Sequence, residues 1–379
     1  MRINLLGRRG VLGGGRFFGG FADAMTAMAG IGGFVQEIDY LNPEDRTACI
    51  STGTPEDINI HFSNVNFLPS EMLPEKWPVL PGFNIHWAVF ESTVIPEAER
   101  DWLASADAIF VPSDWGRQVL IDNGLDTGKI DVVPEGVDPN LFHPCLRASY
   151  PRDDLFRILV VGKFEDRKGF PELVHGFASA FGNDDSVVLY LKSDSPWLKN
   201  ISMQAYEENR QDLRDLIDRT GAKNIEVLTG THSDHELFHF YNACDLLLFP
   251  SRAEGWGLPL LEAIACGMPV ATTFHSGHTE FLRPVRDKCR IIPHEMAPMG
   301  PDGCLGEWAV ASPNAIADSL REVRANYPRY RTLALDAART ARARFSWRRA
   351  AETCCERLAQ RVPEGFERIA DRIAGADAE

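Results

Sequence analysis

The chain lacks any run of 18 or more apolar residues, so no membrane-spanning helix is expected. None of its eight cysteines forms a Cys-x-x-Cys pair, which removes the commonest zinc and redox patterns. They are scattered, apart from the adjacent Cys354 and Cys355, and read as small buried apolar residues. No Asp-x-Asp pair occurs, the motif that often holds a divalent ion on a diphosphate. Positive charge is scarce. Lys and Arg number 39 against 54 Asp and Glu, a formal charge of −15, which argues against nucleic acid as a partner. The opening Met1-Arg-Ile-Asn-Leu-Leu-Gly has neither the apolar core nor the cleavage site of a signal peptide, so a cytoplasmic location is expected.

What is present is alternation. With 379 residues there is room for two domains with cores of their own. Strand signals recur at 2–7, 34–41, 58–63, 83–90, 108–112 and 131–134. They restart at 157–162 and continue at 187–191, 225–228, 246–250, 270–273 and 290–292. Helical patterns lie between them, and the chain from about Tyr330 reads as helix throughout. Strand–helix alternation predicts an α/β protein with parallel sheets. The segment 140–157 has no periodicity and reads as a linker. The expected division is 1–145 and 155–345, with the helices of about 346–379 packing back on the first part.

The densest information lies in Glu254-Gly-Trp-Gly-Leu-Pro-Leu-Leu-Glu262. Asp245 to Ser251 reads as a buried parallel strand. Leu260 to Cys266 has helical spacing and Gly267-Met-Pro269 stops it. Glu254 is therefore placed at a strand's carboxyl end, where ligands bind in open α/β sheets. The amides of Gly255, Trp256, Gly257 and Leu258 face the same place and could hold an anion. Two glutamates invite a paired acid/base reading. Their spacing opposes it, because one sits on a loop and the other about two turns along a helix.

Two further patterns compete. Gly13 to Gly20 follows the first strand, but the dinucleotide fingerprint fails because Phe18 stands where glycine is needed. His235-Glu236-Leu-Phe-His239 matches the H-E-x-x-H zinc motif, and a zinc-dependent hydrolase is the alternative that it supports. The extended form fails at Asn242.

The Glu-x7-Glu segment, with Cys266-Gly-Met-Pro-Val-Ala-Thr-Thr273 after it, resembles the donor-site signature of retaining glycosyltransferases of family 4, which have the GT-B fold. Val161-Gly-Lys-Phe-Glu-Asp-Arg-Lys-Gly169 is similar to that family's phosphate turn. Val133-Pro-Glu-Gly-Val-Asp138, with Phe142 and Pro144, resembles its interdomain linker. Glu91-Ser and Val111-Pro-Ser113 resemble the end of its first domain.

The resemblance implies two Rossmann-like domains facing a cleft and transfer of a hexose from a nucleotide sugar, UDP- or GDP-linked, to a glycan, lipid-linked or protein acceptor. It implies that Lys163 and Lys168 stabilise the leaving diphosphate, with lysine at Lys163 where the family usually has arginine. Glu254 would lie at the donor sugar and Glu262 at the ribose. Gly14 and Gly15 would lie near the diphosphate, and His86, or Glu91 on the same strand, near the transferred sugar or acceptor. No metal and no cofactor is expected besides the donor. A non-catalytic sugar-nucleotide-binding protein and an epimerase on the same fold are the other readings. The helical stretch Arg339–Arg361 carries seven arginines against Glu352 and Glu356, a surface suited to peripheral contact with a membrane's inner face.

Overall fold

The computed structural model describes residues 2–11, 13–28, 30–39, 42–64, 80–145, 154–195, 198–199, 202–298 and 306–362. Parts of the expected strand 34–41, of the linker and of the returning segment 346–379 lie outside these. The chain forms two compact units. One comprises Met1–Asp138, Cys304–Gly306 and Phe345–Glu379; the other comprises Pro139–Gly303 and Glu307–Arg344.

The first unit runs β1 (Ile3–Gly7), α1 (Gly13–Ala27), β2 (Val35–Asp39), α2 (Pro43–Thr52), β3 (Ile58–Asn64), β4 (Phe83–Val89), α3 (Glu97–Ala104), β5 (Ala108–Val111), α4 (Asp114–Asp122) and β6 (Ile130–Val132). Among the described residues its sheet has six parallel strands in the order β2-β1-β3-β4-β5-β6. Strands β1 and β5 are buried at every position, as expected of parallel strands covered on both faces. One face packs Phe17, Phe18 and Phe21 of α1 against Phe62 and Trp87.

The second unit runs β7 (Phe156–Val161), α5 (Phe170–Phe181), β8 (Val187–Lys192), α6 (Met203–Asp218), β9 (Ile225–Leu228), α7 (Asp234–Ala243), β10 (Leu246–Phe249), α8 (Leu258–Ala265), β11 (Val270–Thr272), α9 (Thr279–Leu282) and β12 (Arg290–Ile291). A short antiparallel pair, β13 (Glu295–Pro298) and β14 (Glu307–Val310), precedes α10 (Pro313–Ala325) and α11 (Tyr327–Arg344). The parallel sheet is ordered β12-β11-β10-β7-β8-β9. The direction of strand order reverses at β7, between β10 and β8. In a doubly wound sheet the crevice at such a reversal is the ligand site. Helices α5 and α10 cover one face; a Cβ on Gly176 would sit 2.8 Å from Ile316, so only glycine permits this approach.

The last described helix, α12 (Trp347–Arg361), belongs to the first unit. Ala350, Ala351, Cys354, Cys355 and Leu358 enter that unit's core beside α1. A Cβ on Gly20 would come within 2.4 Å of Trp347, so this glycine serves helix packing. No disulfide joins the described cysteines.

Candidate functional site

Strand β7 ends at Val161, and the chain turns through Gly162, Lys163, Phe164 and Glu165 into a single 3-10 turn, Asp166–Lys168. Gly169 follows with φ 66°, a left-handed conformation that L side chains resist. A Cβ there would also sit 3.0 Å from Pro250 O, so glycine lets this turn lie against the end of β10. The side chain of Lys168 folds back over Gly162, and its ammonium lies 5.1 Å from the Phe249 ring centre.

Glu254 comes from the loop after β10. Lys168 Nζ donates to its Oε1 at 2.5 Å, and Arg167 Nη1 donates to its Oε2 at 2.7 Å. Arg167 Nη2 reaches Glu165 Oε2 at 3.3 Å, and Lys163 Nζ lies 2.6 Å from Glu165 Oε1. Three cations and two carboxylates thus alternate along one chain of contacts. Burial would push the Glu254 carboxyl up, but the charges of Lys168 and Arg167 and hydrogen bonds from Lys168 and Ser251 hold it at about 2. Burial and the neighbouring Arg167 lower Lys168, and Glu254 partly offsets them. At neutral pH Glu254 is an anion, so it has no proton to give.

Behind Glu254 lies a built support. Its N–H donates to Ser276 Oγ at 2.8 Å, and Gly277 N–H donates to its carbonyl at 2.9 Å. Ser276 has φ 62°, the one positive φ among the described non-glycine residues. Such strain persists only where the surroundings fix it, and it gathers at functional loops. His278 donates from Nε2 to Thr273 O at 3.0 Å, and burial lowers its pKa to about 4, so the ring is neutral. Arg252 ties the phosphate turn down, bridging Asp166 at 2.7 Å and Glu172 at 2.9 Å.

Glu262 lies inside α8 and is 2 % exposed. Tyr241 OH donates to its Oε2 at 2.9 Å. The two glutamates therefore have different hydrogen-bond donors. Gly257 opens α8 with φ 98°, followed by Pro259 in the first turn. The Trp256 ring is buried and packs edge-on to Phe281 at 5.1 Å, so it is the backbone of Gly255 to Leu258 that lines the turn.

The remaining expected residues belong to the first unit. Gly14 and Gly15 are not in a loop but in the first turn of α1, in the first unit. A Cβ on Gly15 would meet Gly10 N at 2.5 Å, so that glycine closes a tight turn; Gly14 has open space. His86 lies in mid-β4, stacked on Trp102 at 3.7 Å, and burial with nearby His61 keeps its pKa well below the ordinary value. That is the setting of a core histidine. Glu91 lies two residues beyond β4, and its charge, after burial, helps push Glu135 well above the ordinary carboxyl range.

His235 and His239 lie exposed on α7, and Glu236 completes a capping box with Ser233. Among the described residues no group of three or more His, Cys, Asp or Glu is placed to hold a metal. Among those residues also, no helix is long and apolar enough to cross a membrane.

Sequence reasoning missed Arg167, Arg252, Tyr241 and Ser276. Arg167 had a visible signal, a second cation beside Lys168 in the phosphate turn. The other three are joined to the site only by the fold.

A D-inositol 3-phosphate glycosyltransferase of Stackebrandtia nassauensis is 27% identical over 283 residues, 71% of this chain and 58% of that protein. A mannosylfructose-phosphate synthase of Agrobacterium fabrum is 27% identical over 183 residues, 46% of this chain and 39% of that one. The chain spans about half the length of the curated relatives it matches. Among solved structures, Anabaena HepE in complex with UDP superposes with a TM-score of 0.70 at 16% identity, over 95% of this chain and 100% of that one. Sucrose-phosphate synthase from Thermosynechococcus elongatus gives 0.60 at 19% identity, over 86% and 73%. The architecture is the GT-B fold. The family profile described as "Family 4 Glycosyltransferase in conflict systems" matches residues 125–354, and the chain belongs to that family.

Proposed function

We propose that the protein is a retaining glycosyltransferase that moves a hexose from a nucleoside diphosphate sugar to a glycan, lipid-linked or protein acceptor. The observation that carries this reading is the Lys168–Glu254–Arg167 cluster at the reversal of strand order. When the bond from the anomeric carbon to the phosphate oxygen breaks, its electron pair leaves with the diphosphate. Negative charge then grows on the phosphate oxygens. Fixed cations in a partly dry site stabilise that charge more in the transition state than in the ground state. Lys168 and Arg167 are such cations, and the amides at the start of α8 add the positive end of a helix. The acceptor oxygen forms the new bond to the same carbon, and its proton passes to an oxygen of the leaving phosphate.

Glu254 works here as an anion. It holds the two cations in place and offers its oxygens to donor hydroxyls. Glu262, oriented by Tyr241, is proposed to accept from the ribose hydroxyls. With no Asp-x-Asp pair in the chain, transfer is proposed to need no metal. Anabaena HepE solved with UDP-glucose supports a nucleotide sugar as donor. The test is a screen of nucleotide sugars for thermal stabilisation, followed by assay of nucleoside diphosphate release. A bound donor raises the melting temperature by mass action. A protein stabilised by no nucleotide sugar contradicts the reading.

A further inference from the structure

The carboxylate of Glu165 sits among the cations of the phosphate turn and takes no part in the transfer chemistry. Its Oε1 lies 2.6 Å from Lys163 Nζ, and its Oε2 accepts from Arg167 Nη2 at 3.3 Å. Burial pushes this carboxyl up, but the charges of Arg167 and Lys163 outweigh burial and hold it below the usual range. The group is therefore an anion at neutral pH, and it engages two of the turn's three cations.

The chain of contacts runs from a closed end to an open one. Side-chain exposure rises from 6% at Glu254 to 24% at Glu165 and 31% at Lys163. The backbone of the turn, by contrast, is held from several sides. Lys168 N–H donates to Glu165 O at 3.0 Å, Asn209 of α6 donates to Phe164 O at 3.1 Å, and Arg252 pins Asp166 at 2.7 Å. Glu165 stands at the N-cap of the 3-10 turn, yet its side chain caps no N–H. The carboxylate can therefore leave the cations by rotation about its own side-chain bonds, with the loop unmoved.

We propose that Glu165 is a specificity-determining residue of the donor site: its carboxylate competes with the donor's diphosphate for Lys163 and Arg167, and the diphosphate displaces it. This rests on the donor reading above. Along the chain of contacts Lys163, Arg167 and Lys168 supply three positive charges, and Glu165 and Glu254 offset two of them. A nucleotide sugar carries one negative charge on each of its two phosphates. With Glu165 turned away, the same contacts present two net positive charges, one for each phosphate. An arginine fork and a lysine ammonium take carboxylate and phosphate oxygens alike, so one set of charge-assisted hydrogen bonds replaces another. Glu165 thereby selects for a ligand whose phosphates reach both cations, and Lys163 joins Arg167 and Lys168 on the diphosphate.

The experiment is calorimetric titration of the full chain with UDP and with GDP. Glu165→Gln keeps the size of the side chain and removes its charge. It should bind whichever diphosphate wild type prefers roughly three- to tenfold more tightly. Misfolding cannot produce such a gain. The gain should shrink by roughly half or more in a Lys163→Ala background, because part of it is delivered through that cation. Unchanged or weaker binding in Glu165→Gln overturns the proposal alone, and weaker binding makes Glu165 a support that stays in place beside the diphosphate. A gain of full size in the Lys163→Ala background overturns it too, since the charge then acts without Lys163. Failure of both diphosphates to bind wild type overturns the donor reading, and the proposal with it.

Discussion

Lys168 and Glu254 stand 86 residues apart in the chain and 2.5 Å apart in the fold, ammonium to carboxylate, both buried. Arg167 completes the arrangement from the other carboxylate oxygen at 2.7 Å. One residue of each kind of charge is thereby fixed at the strand-order reversal, before any substrate arrives.

Lys168→Ala should reduce turnover by roughly 2–4 kcal/mol of barrier, the usual effect of removing a donor to developing charge. It should also destabilise the fold, by roughly 1–3 kcal/mol, because Glu254 loses one of its two cationic partners inside the protein. Arg167→Ala should do the same to a lesser degree, since Arg167 is more exposed. Steady-state kinetics and melting curves check both. Wild-type turnover in either variant contradicts the role.

Acid should loosen the protein before Glu254 is protonated. Burial lowers His61, His275 and His278 from 6.5 to about 4. The unfolded chain therefore binds more protons than the folded one between these values. The stability tied to neutral histidine is complete above about pH 6.5 and is lost as pH falls towards 4. Each histidine adds a slope of up to about 1.4 kcal/mol per pH unit. Glu254 acts lower, its contribution being present above 4.5 and lost as pH falls towards about 2. Melting temperatures should drop between roughly pH 6.5 and 4.5. His278→Gln should flatten that drop, and a level profile in wild type contradicts it.

Glu262→Gln should raise KM for the donor more than it lowers kcat, because the ribose is remote from the reacting carbon. Tyr241→Phe should shift KM in the same direction by less, since it removes one donor to the carboxylate and keeps the carboxylate itself. A collapsed kcat with unchanged KM would instead place Glu262 at the reacting sugar.

The arginine-rich stretch divides between two helices in different units, α11 and α12, at Phe345 and Ser346. Arg348 and Arg349 pair with Glu352, Arg361 with Asp131, and Arg342 donates to Pro139 O. Charges so engaged offer less to a lipid surface. The protein should stay in the supernatant with both anionic and neutral vesicles at low salt. Salt-sensitive sedimentation with anionic vesicles alone contradicts this.

The strands were legible because parallel strands buried on both faces are short apolar runs, as at Leu246–Phe249. The turn bearing Lys168 and the segment from Glu254 to Glu262 were legible as patterns. The ion pair between them was not, since nothing local joins residues 86 apart. Gly13 to Gly15 read as loop because glycine is a poor helix former, yet they open α1. The hairpin β13–β14 was hidden by its short strands and by Pro298. His86 could not be placed along its strand, because a run buried on both faces carries no periodicity to fix which residue ends it.

The central claim is sugar transfer that relies on protein cations at Lys168 and Arg167. The direct measurement is release of nucleoside diphosphate from a nucleotide sugar and an acceptor, in excess EDTA, with the product's anomeric configuration read by NMR. The account predicts undiminished release in EDTA, retained configuration, and loss of release in Lys168→Ala. Activity abolished by EDTA and restored by zinc or manganese, or a product of inverted configuration, would contradict it.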